Sequence, residues 1–306
     1  MIALNRVSRW YGQVLGINDV TCSLGPGITA LLGQNGAGKS TMLKLITGQL
    51  RPTTGTLQVF GKTPFANPAV ARTLGYCPES DGFYNDMTGR RFVALLAVMS
   101  GLRGAEINAR VEEVIATVGM AENADRQLGG YSKGMKQRIK LAQAIVHRPE
   151  ILVLDEPLNG LDPVGRREMG VIIHKMAEAC KTIIVSSHIL HEVEQMTRQI
   201  LVLHHGRLMA IGDTVQIRGL IDAHPHHITM HADRPKELAK CLIDLPYVLA
   251  VRFNPQVPSV VEVETRSPDL FYVQFPELVL KHGFEISEFD SPDNNLEAVF
   301  KYLVGA

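Results

Sequence analysis

"GQNGAGKST", Gly33 to Thr41, sets a lysine and a serine at the end of a glycine-rich run with the spacing G-x-x-x-x-G-K-[ST]. That spacing suits the capture of a phosphate chain. Gly33, Gly36 and Gly38 let backbone N–H groups turn inward around phosphate oxygens, with Asn35, Ala37 and Thr41 completing the loop. Lys39 can reach terminal phosphates, and the Ser40 hydroxyl can ligate magnesium. A second group, "ILVLDEP" (Ile151 to Pro157), ends an apolar run in two acids. Asp155 is placed to hold a magnesium shell and Glu156 to polarise an attacking water, the parts that nucleotide hydrolysis needs. A third stretch, "YSKGMKQRIKLAQAI", carries Lys133, Lys136, Arg138 and Lys140 within eight positions. By itself it fits a nucleic-acid patch, a solvated helix face or part of a phosphate-reading device.

These residues need a scaffold that brings distant loops together. "GITALLG", "ILVLDEP" and "TIIVSSH" are short runs too apolar for half-exposed strands, which predicts a mainly parallel sheet buried under helices. The phosphate loop then lies between a strand and the helix "KSTMLKLITG", where such a loop must sit. A helical insertion is expected over roughly residues 89–120, within a helical subdomain of about 85–148. After about residue 215 proline becomes frequent and phosphate-type motifs stop. Here the pattern reads strand "HHITMHA", helix "PKELAKCLIDL", strands "VLAVRF" and "SVVEVET", helix "LFYVQFPELVLKHG" and strand "EISEFD". That order, β-α-β-β-α-β, predicts a ferredoxin-like domain over 216–306, closed by a helix "NLEAVFKYLV".

The chain has 306 residues, with 31 Lys+Arg against 31 Asp+Glu. A zero net charge argues against a protein whose affinity comes from a polyphosphate backbone. Cys22, Cys77, Cys180 and Cys241 form no C-x-x-C pair and read as reduced thiols. The opening residues lack the layout of a signal peptide. The most apolar stretches, such as "FVALLAVMSGL", fall short of the roughly 20 residues that span a bilayer.

Taken in order, the motifs of residues 1–215 resemble the ATP-binding-cassette (ABC) ATPases. The resemblance implies an α/β P-loop cassette with a helical subdomain, binding ATP and Mg2+. "YSKGM" looks like the family's Leu-Ser-Gly-Gly-Gln signature opening a helix. By analogy Ser132 and Gly134 of one subunit face the phosphate held by Lys39 of another, so that ATP is sandwiched between two copies or between paralogous subunits. Tyr11 resembles the aromatic that stacks on adenine, with Trp10 an alternative. "LNGLD", ending at Asp162, is similar to the loop that signals across the dimer, and His188 to the histidine that contacts the γ-phosphate.

Two positions depart from the family pattern. Glu79, in "GYCPES", stands where a glutamine helps ligate magnesium, and Lys133 replaces a signature glycine. A carboxylate still ligates a hard cation but cannot donate an amide hydrogen bond, so altered metal or pH dependence is expected of Glu79. In the helix after Ser132, Lys133, Lys136 and Lys140 share one face while Met135, Ile139, Ala142 and Val146 share another. This is an amphipathic pattern, from which Lys136 and Lys140 are expected to form a solvated face. Nucleic acid is not needed to explain the stretch.

The resemblance extends to a prokaryotic exporter subgroup whose integral-membrane permease is a separate chain. It implies a peripheral ATPase on the cytoplasmic face of the membrane. A soluble ABC ATPase acting on ribosomes or DNA is the alternative, although neither a long coiled-coil insertion nor a second cassette is visible. In "HPHH", His226 and His227 are adjacent and would point to opposite faces of a strand, which disfavours a metal site there.

Overall fold

The computed structural model describes residues 2–214, 216–217, 226–255 and 257–291. It divides into two compact units, Met1–Asp213 and Thr214–Ala306.

The first unit is built on a six-stranded sheet of order β5-β6-β7-β3-β8-β9. Its strands are β3 (Gly27–Leu32), β5 (Leu74–Cys77), β6 (Ile151–Leu154), β7 (Thr182–Ser187), β8 (Gln199–His204) and β9 (Arg207–Asp213). All neighbours pair in parallel except β8 and β9. Every residue of β6 and β7 is buried, which explains why those runs are apolar without alternation: both faces of the sheet are covered. Burying one Ile, Leu or Val side chain contributes about 1.5–3 kcal/mol, so these strands anchor the unit.

Parallel pairing also sets the site. In β5, β6, β7 and β3, four adjacent strands, all carboxyl ends lie on one edge, and the four loops that follow stand in a row there. Binding crevices in open α/β sheets form outside such carboxyl ends.

A feature beyond the expected parallel sheet is a three-stranded antiparallel sheet, β2-β1-β4. It comprises β1 (Ile2–Tyr11), β2 (Val14–Leu24) and β4 (Thr54–Val59). Tyr11 pairs with Val14 across a two-residue turn in which Gly12 has φ +60°, a hairpin geometry that suits glycine.

Helix α1 (Lys39–Ile46) follows the phosphate loop, and α2 (Pro68–Ala71) precedes β5. Three helices, α3 (Gly89–Met99), α4 (Ala105–Thr117) and α5 (Lys133–Ile145), pack together. Their buried residues, among them Phe92, Val114 and Ile139, join one hydrophobic cluster with Leu152, Leu154 and Val185 of the sheet. Thr88 caps α3 by accepting the Arg91 N–H. Helices α6 (Pro163–Ala179) and α7 (Leu190–Glu194) complete the unit. Among the described residues no helix is long and apolar enough to cross a membrane.

The second unit runs β10 (His226–Ala232), α8 (Pro235–Ile243), β11 (Val248–Phe253), β12 (Val260–Thr265), α9 (Pro268–His282) and β13 (Ile286–Asp290). The strands form an antiparallel sheet of order β11-β12-β10-β13. Leu238, Leu242, Phe271 and Phe275 of the helices join Ile228, Met230, Val261 and Val263 of the sheet in its core. His226 is buried and His227 exposed, as strand alternation requires, and among the described residues no cluster of three or more His, Cys, Asp or Glu side chains is placed to hold a metal. The closing helix expected over "NLEAVFKYLV" lies outside the described residues.

The four cysteines are free. Burial pushes the Cys77 thiol up to about 12, with the Lys140 charge opposing that shift.

Candidate functional site

A cavity of about 650 Å³ opens at the carboxyl edge of the main sheet. Tyr11, Asn35, Gly36, Gly38, Lys39, Ser40, Thr41, Glu79, Glu156 and His188 all line it, with Gln34, Gly16 and Asn159 among the further walls.

The loop after β3 is built for close approach. A Cβ at Gly33 would come within 2.6 Å of the Leu203 carbonyl oxygen. At Gly38, with φ +103°, it would come within 2.5 Å of the Gly16 oxygen. Neither position admits a side chain. The loop then delivers Lys39 and Ser40 at the start of α1, whose first N–H groups have no acceptor within the helix and carry partial positive charge. This is a ready cradle for anionic oxygens. Gly33 and the buried Ala37 lie behind the cradle and support it, outside the lining of the cavity.

Lys39 is 6 % exposed. Its ammonium donates to the Gly33 carbonyl at 2.7 Å and the Gln34 carbonyl at 3.3 Å, and lies 3.3 Å from Glu156 Oε1. The other Glu156 oxygen, Oε2, is 2.8 Å from His188 Nδ1. One carboxylate is therefore held between an ammonium and an imidazole. Glu156 also has φ +50°, an unusual conformation for a residue with a Cβ, costing roughly 1–3 kcal/mol.

Ser186 holds that strained backbone. Its buried hydroxyl accepts the Glu156 N–H at 2.8 Å and donates to Asp155 Oδ1 at 2.8 Å. One oxygen thus fixes both acids. The serine escaped the reading of motifs because a hydroxyl inside an apolar strand looks structural; its place two residues before His188 was the only signal.

Asp155 Oδ1 lies 3.4 Å from Ser40 Oγ, and Tyr76 donates to Asp155 Oδ2 at 3.5 Å. Burial, reinforced by the Asp155 charge, pushes the Tyr76 phenol up, so it stays a donor. Ser40, Asp155 and the nearby Glu79 supply hydroxyl and carboxylate oxygens, the hard donors that magnesium takes. When bound, magnesium would neutralise charge on a phosphate chain. Glu79 Oε1 accepts from Asn159 Nδ2 at 3.4 Å.

Tyr11 lines the cavity and lies 3.4 Å, hydroxyl to hydroxyl, from Thr41. The Arg9 guanidinium stands 5.1 Å over its ring. A Cβ at Gly16 would touch both Tyr11 and Thr41 at 2.9 Å, so the bare glycine leaves room for the ring. Trp10 is not part of the lining.

Ser132, Gly134 and Asp162 are not brought to this cavity. Ser132 caps α5, its hydroxyl accepting the Met135 N–H at 3.3 Å. Asp162 caps α6, accepting the Gly165 N–H at 2.9 Å. Both roles satisfy orphan donors of a helix start.

The expectation that Lys136 and Lys140 form a solvated face is overturned at Lys140. That residue is 1 % exposed. Its ammonium donates to the Glu79 carbonyl at 2.7 Å and pairs with Asp81 Oδ1 at 3.2 Å. Lys136 is also partly covered and lies 3.9 Å from Asp81 Oδ2. Helical periodicity identifies the face, but only tertiary packing brings the 79–81 loop over it.

These parts can bind a phosphate chain, hold a divalent cation and present a carboxylate to a water. A family described as "ABC transporter" matches residues 17–159. A Bacillus subtilis protein described as an uncharacterized ABC transporter ATP-binding protein, YxlF, is 32 % identical over 90 % of this chain and 90 % of its own length. The chain belongs to the ABC transporter ATP-binding family. It is an ATPase subunit with the α/β cassette fold, binding ATP. The bacitracin transport ATP-binding protein BcrA of Enterococcus faecalis is 31 % identical over 100 % of this chain and 96 % of its own. Among solved structures, an ATP-binding subunit of an ABC transporter superposes with TM-score 0.65 at 28 % identity, covering 72 % of this chain and 93 % of that one. A dimeric cassette bound to ADP and phosphate shares the fold, with TM-score 0.63, 21 % identity and coverage of 70 % and 98 %.

Proposed function

We propose that this ABC subunit powers export through a separate integral-membrane permease, seated on the cytoplasmic face of the membrane and paired with a second copy or a paralogous cassette. The observation that carries this reading is the meeting of Lys39, Ser40, Glu156 and His188 around one cavity, with Asp155 directly behind Ser40. Similarity to relatives named for bacitracin transport and daunorubicin/doxorubicin resistance supports the export direction. The lack of a membrane-crossing helix among the described residues supports a separate permease.

In this reading the loop at residues 33–41 binds the triphosphate, Tyr11 stacks on the adenine and Glu156 takes the proton of the attacking water. His188 holds Glu156 and touches the γ-phosphate. Ser40, Asp155 and Glu79 would hold magnesium. Ser132 and Gly134, at the positive end of α5, face the phosphate bound by the other subunit, and Asp162 lies in the loop that links the two sites.

The test is a tagged Glu156→Gln chain expressed in its native cell, with membranes fractionated and co-purifying proteins identified. Recovery with a multispanning protein is expected. Recovery in the soluble fraction with ribosomal proteins or nucleic acid overturns the transport reading.

A further inference from the structure

Lys140 is among the largest fully buried side chains of the protein, although it lies on the helix face that its sequence pattern assigns to solvent. Burying an ammonium is costly unless its donors are matched. Here they are matched by one short segment: the Glu79 carbonyl at 2.7 Å and the Asp81 carboxylate at 3.2 Å. Asp81 is half-exposed and also within 3.9 Å of Lys136, so the ammonium sits beneath the segment with its charge satisfied.

The contact belongs to a wider polar bridge. Gln137, one turn before Lys140 on the same face of α5, donates to the Asn159 carbonyl at 3.5 Å. Asn159 in turn donates from its side chain to Glu79 Oε1 at 3.4 Å. Helix α5 therefore meets both the loop after β5 and the loop after β6, and the two loops meet each other at the Glu79 carboxylate. Glu79 is approached at its backbone by Lys140 and at its side chain by Asn159. That leaves the carboxylate at the wall of the cavity that also holds Ser40 and Glu156.

We propose that Lys140 is a positioning residue for Glu79. By fixing the Glu79 carbonyl from below, it aims the carboxylate at the metal side of the nucleotide cavity. It thereby ties that carboxylate to the helix opening at Ser132. This rests on the reading of Glu79 as a magnesium ligand.

The test uses the full chain and equilibrium binding of a fluorescent ATP analogue, measured once with Mg2+ and once with EDTA. In Lys140→Met, affinity in EDTA is expected to stay within about twofold. The ratio of the Mg2+ to the EDTA affinity should fall about tenfold, the scale of losing a group that orients a metal ligand. Amide hydrogen exchange over residues 79–81 should accelerate. Affinities that fall together, or an unchanged ratio, overturn the proposal and leave Lys140 a core-filling residue. Glu79→Ala separates the two readings. If it lowers the ratio while Lys140→Met does not, the positioning role alone is lost. If Glu79→Ala itself leaves the ratio unchanged, the magnesium reading of Glu79 fails and takes the positioning role with it. In the Glu79→Ala background, Lys140→Met should lower the ratio no further, because the two act as one unit; an additional tenfold loss overturns the proposal. Should Lys140→Met not fold, Asp81→Asn carries the same test, with a fall of about threefold expected and an unchanged ratio overturning it.

Discussion

The Lys39 ammonium lies 3.3 Å from Glu156 Oε1, and both residues line the cavity at the carboxyl edge of the main sheet. In the reaction proposed above these two groups would act at opposite ends, and here they pair with each other. A phosphate chain entering the loop competes for the same ammonium and so releases the carboxylate towards water. Because both side chains are more than nine-tenths buried, that exchange takes place in a low-dielectric setting where charge interactions are strong.

Glu156→Gln should therefore keep or strengthen ATP binding, since it removes a competitor for Lys39 and preserves side-chain size. Turnover should fall by about 10²–10⁴, the contribution of a positioned base. Steady-state hydrolysis and nucleotide binding on the same preparation check both parts. Undiminished turnover removes Glu156 from the role.

Ser186→Ala strips the hydroxyl that holds Asp155 and Glu156. The Glu156 N–H is then buried without its acceptor, which costs about 1–3 kcal/mol, and the φ +50° conformation loses its brace. A lower thermal midpoint and a fall in kcat larger than any rise in KM are expected. An unchanged midpoint and unchanged kinetics refute the bracing role.

Tyr11→Ala should raise the KM for ATP about tenfold or more, on the scale of lost base–aromatic stacking. Binding lost equally in ground and transition states leaves kcat near its original value. Trp10→Ala, one residue away and outside the cavity lining, should leave KM almost unchanged. The reverse pattern would move the adenine contact to Trp10.

His147 carries a pH prediction. Burial, with the Arg110 charge adding to it, depresses the imidazole below its ordinary value of 6.5, against a hydrogen bond to the Leu74 carbonyl that works the other way. The folded protein thus binds this proton less readily than the unfolded chain. Stability from this group is fully present above pH 6.5 and is lost as pH falls through the lower folded value. Thermal unfolding from pH 7.5 downward should show a loss that is shallower in His147→Gln. Parallel curves for the two proteins would exclude His147 as the cause.

Much of the site was legible because its chemistry is local. The loop from Gly33 to Thr41 carries glycines, lysine and serine in one run, and Asp155 with Glu156 closes one apolar strand. Apolar continuity in "ILVLDEP" and "TIIVSSH" announced strands covered on both faces, which β6 and β7 are. Helical periodicity likewise marked Ile139 and Ala142 as core.

Other features depend on residues far apart in the chain. Ser40 meets Asp155 across 115 positions, and Lys140 meets Glu79 across 61. A periodic pattern states which side chains share a helix face, but whether that face meets water depends on what packs against it, and Lys140 is covered by a loop. Ser186 looks like strand filling until parallel pairing of β6 and β7 sets its hydroxyl between two acids. The sequence by itself named the residues proposed to handle a nucleotide and the buried strands β3, β6 and β7, with helices α1 and α5, that carry most of them. Tertiary structure alone decided which polar groups were buried, whom they met and therefore which of them could position others, because burial and partnership are properties of packed neighbours rather than of chain order.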